Sequence, residues 1–187
     1  EIAFCLPAFL KEHWTGKFAV SVVTRSSKIL ADATPATQRL VIAECNHRQI
    51  KTFTSASISS VQHDCLKAAD GTEIPADIVI WSTGAAAPKL LSQLQLETDD
   101  RGFLLTLPTL QSTTNPHVFV VGDSGTIQQS PTPKAGVYAV RQGPVLWENL
   151  QRILTDAPLV PYKPQRSFLQ LLNTGDGSAI GQWKGIS

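Results

Sequence analysis

Val118-Phe119-Val120-Val121-Gly122-Asp123 is the stretch that decides the fold. Four consecutive apolar side chains, three of them β-branched, suit a strand buried on both faces of a parallel sheet. The run ends in a glycine and a carboxylate, and ligands of open α/β sheets bind outside the C-terminal ends of the strands. Gly122 would let a ligand approach the backbone closely. Asp123 could accept hydrogen bonds from sugar or polyol hydroxyls. Read alone, the hexapeptide also fits a strand ending in an ordinary capping aspartate.

A second signal lies upstream. Asp77-Ile78-Val79-Ile80-Trp81-Ser82-Thr83-Gly84 reads as another apolar strand running into a small-residue turn, where Thr83 and Gly84 would let the chain cross close to a bound nucleotide. The two strand ends in this order narrow the reading more than either does by itself. Around them helical and strand patterns alternate, which indicates an α/β architecture. Helical spacing is expected over Ile2–Trp14, kinked at Pro7, and over Thr34–Ile50, opened by Pro35. A buried strand is expected over Phe18–Thr24, short strands over Ile50–Phe53, Ala56–Gln62 and Cys65–Ala68, and a hairpin turn at Ala69-Asp70-Gly71. After a turn at Gly102 and a strand at Phe103–Leu107, a helix from about Lys134 to Leu154 should bury Val137, Val140, Leu146, Trp147, Leu150, Ile153 and Leu154 and bend at Pro144. Pro158, Pro161 and Pro164 mark a linker, and Arg166–Trp183 reads as the start of an element without its partners.

Composition excludes several function classes. With 17% charged residues, a net charge of +1 and no basic cluster, there is no electrostatic reason to expect nucleic acid or an anionic membrane as partner. No apolar run approaches the about 20 residues a membrane helix needs. Three widely spaced cysteines without a CxxC pair fit reduced thiols and a cytoplasmic setting. His13, His47, His63 and His117 never fall at ligand spacing, so no metal is expected. The sequence starts at Glu1, has no methionine and enters at once what reads as a helix, so a piece of a longer protein is expected.

Taken in order, Ser82-Thr83-Gly84, Gly102, Val118 to Asp123, Pro133-Lys134-Ala135-Gly136 and Arg141-Gln142-Gly143 resemble the two-dinucleotide-fold flavoproteins of the pyridine nucleotide-disulfide oxidoreductase superfamily. Within it the pattern looks like the type II NADH dehydrogenase branch. Arg166–Leu172, Asn173-Thr174-Gly175-Asp176-Gly177 and Ala179 are similar to flavoprotein modules fused to selenide, water dikinase.

That resemblance implies a partial Rossmann-like FAD/NAD(P)-binding fold. Residues 1–87 would be an NAD(P)-binding domain lacking its glycine-rich loop, 88–158 the C-terminal half of an FAD-binding domain, and 159–187 the beginning of a C-terminal interface domain. Glu1 would directly follow the GxGxxG turn of the nicotinamide domain. Gly122 and Asp123 would meet the ribityl chain of FAD, and Lys134, Ala135 and Gly136 would start the helix beneath the isoalloxazine ring. The positive end of that helix would stabilise charge on the reduced flavin by about 1 to 2 kcal/mol, or about 20 to 40 mV. No residue of the chain is expected to be catalytic, because the hydride chemistry belongs to the cofactor.

The chain departs from the family pattern at Thr24, where NAD-binding members carry an acid that grips the ribose hydroxyls. Arg25, helped by Lys28, could instead pair with the 2′-phosphate of NADPH; a solvated loop is the equal alternative. The resulting expectation is part of an FAD-dependent NAD(P)H oxidoreductase that passes electrons to an unidentified acceptor, with this chain alone inactive. Its alternative is a non-catalytic interaction or regulatory module that keeps the fold. A homodimer through the C-terminal domain and a fused selenide, water dikinase domain are the partners the resemblance raises.

Overall fold

The computed structural model describes residues 1–165 and 167–183. The chain divides into two compact units, Glu1–Ile80 with Ser167–Ser187, and Trp81–Arg166. Arg166, where the finer resemblance begins, and the last four residues of the expected interface domain lie outside the described residues.

The first unit opens with α1 (Ile2–His13), which carries Pro7 inside it. Strand β1 (Ser21–Val23) pairs in parallel with β2 (Lys51–Phe53), Ser21 opposite Lys51. The crossover between them is α2 (Pro35–His47), the helical connection that parallel strands require. Its start was legible in sequence: Pro35 fixes a helical φ in the first turn, and the Thr34 hydroxyl accepts from the Thr37 N–H at 3.2 Å. Phe4 from α1, Val41 and Cys45 from α2, and Ile29 and Ile50 form the core. A three-stranded antiparallel sheet follows, β3 (Ile58–Val61), β4 (Cys65–Ala68) and β5 (Glu73–Pro75), with the expected turn between β4 and β5. Gly71 takes φ +88° there, a conformation that glycine adopts without strain.

The C-terminal hairpin, β8 (Gln170–Asn173) and β9 (Ala179–Gln182), belongs to this unit rather than standing without partners. Leu172 and Ile180 pack on the Phe4 core. Arg48 at the end of α2 holds the turn, bonding Asp176 at 2.7 Å, the Thr174 carbonyl and Glu44. A Cβ on Gly175 would stand 2.8 Å from the Cys5 Cα, so the turn can dock on α1 only with glycine at that position. The Asn173–Gly177 motif therefore has a packing role in this fold.

The second unit contains α3 (Lys89–Gln93), β6 (Leu104–Thr106), β7 (Gly125–Ile127) and α4 (Gly136–Ile153). β6 and β7 pair in parallel, Leu104 opposite Gly125. Here two sequence expectations are corrected. Val118–Val121 is extended but forms no ladder. Its backbone meets the 110–112 segment, through Val120 N–H to the Leu110 carbonyl at 2.9 Å, Ser112 N–H to the Val118 carbonyl at 2.7 Å and a bridge between Gln111 and Phe119, and the Val118 N–H turns back to the Asn115 carbonyl at 3.1 Å. The residue beside β6 is Gly125 and its successors, so the ladder forms after the Gly-Asp turn. Even so, Val118 and Val120 face one apolar cluster while Phe119 and Val121 face another, the two-residue alternation of an extended chain. The Asp77–Gly84 stretch forms no strand either. Among the described residues no strand pairs with it, and Ile78 is 84% exposed.

The third correction concerns α4. The helix spans the expected residues with Pro144 inside it, but Val140, Trp147, Leu150 and Leu154 of the expected buried stripe are exposed. Its fully buried positions are Tyr138, Gln142 and Asn149. Asn149 explains why a polar residue lies inside: its amide donates to the Thr109 and Val160 carbonyls at 2.9 Å each, and its carbonyl accepts from the Val160 N–H at 2.8 Å. One side chain thus satisfies three part-buried backbone groups that no secondary structure serves.

Candidate functional site

The second unit brings the Gly-Asp turn against the first half of α4. Gly122–Ser124 is a single 3-10 turn closed by the Gly125 N–H on the Gly122 carbonyl. Gly122 has φ +63°, and a Cβ there would press on the Ala139 Cβ at 3.2 Å, so both backbone and packing require glycine. Its N–H donates to the buried Gln142 Oε1 at 2.6 Å. Asp123 is exposed, and its carboxylate has no hydrogen-bond partner among the described residues.

At the start of α4, Ala135 is the N-cap and supplies no side-chain cap, which leaves first-turn N–H groups for a ligand or water. A Cβ on Gly136 would meet nothing within 4 Å, so the space over this end is open. Lys134 directly precedes this helix start. It folds back, donating from Nζ to the Gly125 carbonyl and to the Thr126 hydroxyl, the latter at 2.9 Å. The Thr126 hydroxyl in turn donates to Asp99 Oδ2 at 2.7 Å, and Asp99 Oδ1 accepts from the Arg101 and Phe103 N–H groups. The Lys134 ammonium also lies 4.2 Å from the centroid of the fully buried Phe103 ring.

These contacts set the local electrostatics. Burial holds Lys134 below the ordinary lysine value, against the attraction of Asp99 and Asp123. At Asp99 burial opposes the charge, but the hydrogen bonds from Thr126, Phe103 and Arg101 outweigh it, and the carboxyl titrates below its ordinary value.

Thr83 and Gly84 are exposed and outside any helix or strand, and Gly84 is under no steric demand. The residues just after them are fixed, since the Arg101 guanidinium donates to the Ala85 carbonyl at 3.0 Å. Glu1 and Arg25 belong to the first unit. Glu1 is the N-cap of α1, with its carbonyl accepting from Phe4 and Cys5 and its side chain making no cap bond. Arg25 is exposed on the loop after β1, where the Thr24 hydroxyl accepts from the Ser26 N–H at 3.2 Å. Lys28, on the same loop, lines a cavity of about 330 Å³ with Arg39, Gln38, Thr52 and Thr54. Arg39 and Gln142 were missed in sequence: each sits on a helix, where nothing in the spacing distinguishes a ligand-facing or anchoring side chain from a solvated one. The Arg141-Gln142-Gly143 motif was the available signal for Gln142.

A family model described as pyridine nucleotide-disulphide oxidoreductase matches residues 6–143. The chain is 24% identical to the type II NADH:quinone oxidoreductase of Haemophilus influenzae, over 77% of this chain and 33% of that protein. It is 26% identical to the type II NADH:quinone oxidoreductase Ndh of Mycobacterium tuberculosis, over 96% of this chain and 41% of that protein. The fold is similar to that of the sulfide:quinone oxidoreductase from Aquifex aeolicus, with a TM-score of 0.73, 16% identity, and coverage of 98% of this chain and 50% of that one. The chain thus spans less than half the length of these two curated relatives.

Proposed function

Because the chain belongs to the pyridine nucleotide-disulphide oxidoreductase family, we propose that it supplies part of an FAD-dependent NAD(P)H oxidoreductase. FAD and NAD(P)H are the cofactors of that family. In this reading residues 1–87 belong to the NAD(P)-binding domain, 88–158 to the returning half of the FAD-binding domain, and 159–187 to the C-terminal interface domain, with the enzyme cytoplasmic. No helix among the described residues is long and apolar enough to cross a membrane. The finer placement, a module fused to selenide, water dikinase, rests on Arg166–Leu172, Asn173–Gly177 and Ala179, and of these Asn173–Gly177 already has the packing role described above.

The observation that carries the reading is the Gly122–Ser124 turn, with an exposed carboxylate and a neighbouring helix that has no side-chain cap. The residues fit the group in their chemistry. Asp123 would accept from a ribityl hydroxyl, Gly122 would let the polyol approach the backbone, and the N–H groups at Ala135 and Gly136 would meet the electron-rich edge of the flavin. FAD, when bound, would take up hydride from NAD(P)H and hand the electrons to a second acceptor. The chain's own part is to hold the cofactor and to offset negative charge on its reduction. Arg25 and the Lys28 and Arg39 cavity supply cations for a 2′-phosphate, which supports use of NADPH.

Flavin content tests the reading. Asp123→Ala in the full-length enzyme should weaken FAD retention by about 1.5 to 3 kcal/mol, or about ten- to 150-fold, with the fold kept. Absorbance in the flavin bands after extended dialysis measures it. Full occupancy in the mutant would make Asp123 a surface acid, and a colourless parent protein would support the non-catalytic module instead.

A further inference from the structure

We propose that Lys134 and Gln142 are positioning residues that clamp the Gly122–Asp123 turn to α4 from both sides and so fix the Asp123 carboxylate where the flavin polyol meets it. The inference rests on the reading of Asp123 given above. Gln142 holds the first residue of the turn through the Gly122 N–H at 2.6 Å. Lys134 holds the residue that closes the turn through the Gly125 carbonyl and, one residue on, the Thr126 hydroxyl. Asp123 is the exposed residue between the two anchors, and among the described residues its side chain has no hydrogen bond of its own to orient it.

Both anchors are built stiffly. Gln142 is 5% exposed and emerges from the middle of a helical turn, so its amide has little freedom. Lys134 has its ammonium against the Phe103 ring at 4.2 Å, and its Thr126 partner is tied by Asp99 to the 99–103 loop at 2.7 Å. A flexible lysine stem that terminates in such a network has given up its rotamer freedom. Lys134 directly precedes the N-cap of α4 and Gln142 lies within the helix, so the turn is tied to the helix whose uncapped N–H groups would face the flavin. Pre-organisation of this kind lowers the ordering cost that a ligand would otherwise meet on binding.

The test is a double-mutant cycle on flavin release in the full-length flavoprotein, with free-flavin fluorescence giving the dissociation rate and visible circular dichroism the geometry of the bound flavin. Lys134→Met and Gln142→Leu should each speed release tenfold or more and alter the flavin dichroism, and Lys134→Arg should recover part of the loss. Combined with Asp123→Ala, Lys134→Met should add little, because the clamp acts through the carboxylate. Multiplicative losses in the double mutant, or an unchanged release rate in Lys134→Met and Gln142→Leu beside a fast Asp123→Ala, would overturn the clamp and leave the assignment of Asp123 standing. An unchanged release rate in Asp123→Ala would overturn that assignment and the clamp with it. Should Lys134→Met give no folded protein, Lys134→Gln, which keeps a donor for the Gly125 carbonyl, is read in the same cycle.

Discussion

Replacing Asn149 by leucine should be among the most damaging single changes in the second unit, although it substitutes an apolar residue of similar size in a helix. The side chain is 0% exposed, and it satisfies the Thr109 carbonyl, the Val160 carbonyl and the Val160 N–H at 2.8 to 2.9 Å. Leucine leaves all three without a partner, at about 1 kcal/mol or more each, and extra apolar burial offsets about 1 kcal/mol of the total. The net loss is therefore about 2 to 4 kcal/mol, which for a slope of about 2 kcal/mol per molar lowers the urea midpoint by about 1 to 2 M. Tryptophan fluorescence during urea titration reports it, with Trp147 exposed two residues away. Asn149→Asp keeps the acceptor for the Val160 N–H but sets a carboxylate against two carbonyls, so it should be worse than leucine at neutral pH and recover in acid. A midpoint within about 0.5 M of wild type for Asn149→Leu would refute the reasoning and show that water replaces the lost bonds.

Three further outcomes follow from particular groups. Arg25→Ala should raise the KM for NADPH about five- to thirty-fold and leave NADH nearly unchanged, less so at high salt; no effect there, with a selective effect of Arg39→Ala, would move the phosphate contact to the Lys28 and Arg39 cavity. Asp99 titrates below its ordinary value when folded, so its contribution is in place above about pH 4 and is lost as pH falls through the folded value; Asp99→Asn should flatten the acid limb of the stability curve, and an unchanged limb counts against the network. Cys45 is 2% exposed, and burial raises its thiol pKa, so it should resist alkylation until the first unit unfolds, whereas labelling in native buffer would show local opening.

Much of the local structure was legible because its causes are local. Pro35 after Thr34 starts α2, Asp70-Gly71 turns β4 into β5, and the alternation in Val118–Val121 sends its side chains to two sides whether or not a ladder forms. Gly122 and Asp123 could be singled out from their order in the chain, and the need for glycine at φ +63° is a property of that residue type.

Tertiary structure decided which elements find partners. A strand is completed by its neighbour, so Asp77–Gly84 has strand sequence and no strand, while the ladder beside β6 goes to Gly125–Ile127. Burial on α4 follows what lies against each face and not hydropathy, so Gln142 and Asn149 are inside, held by backbone groups brought from far along the chain, while Trp147 and Leu154 are outside. The same long-range geometry brings the Lys134 ammonium onto the Gly125 carbonyl. Spacing along a sequence carries no record of such contacts, because each needs two segments whose approach is fixed only when the core between them has formed.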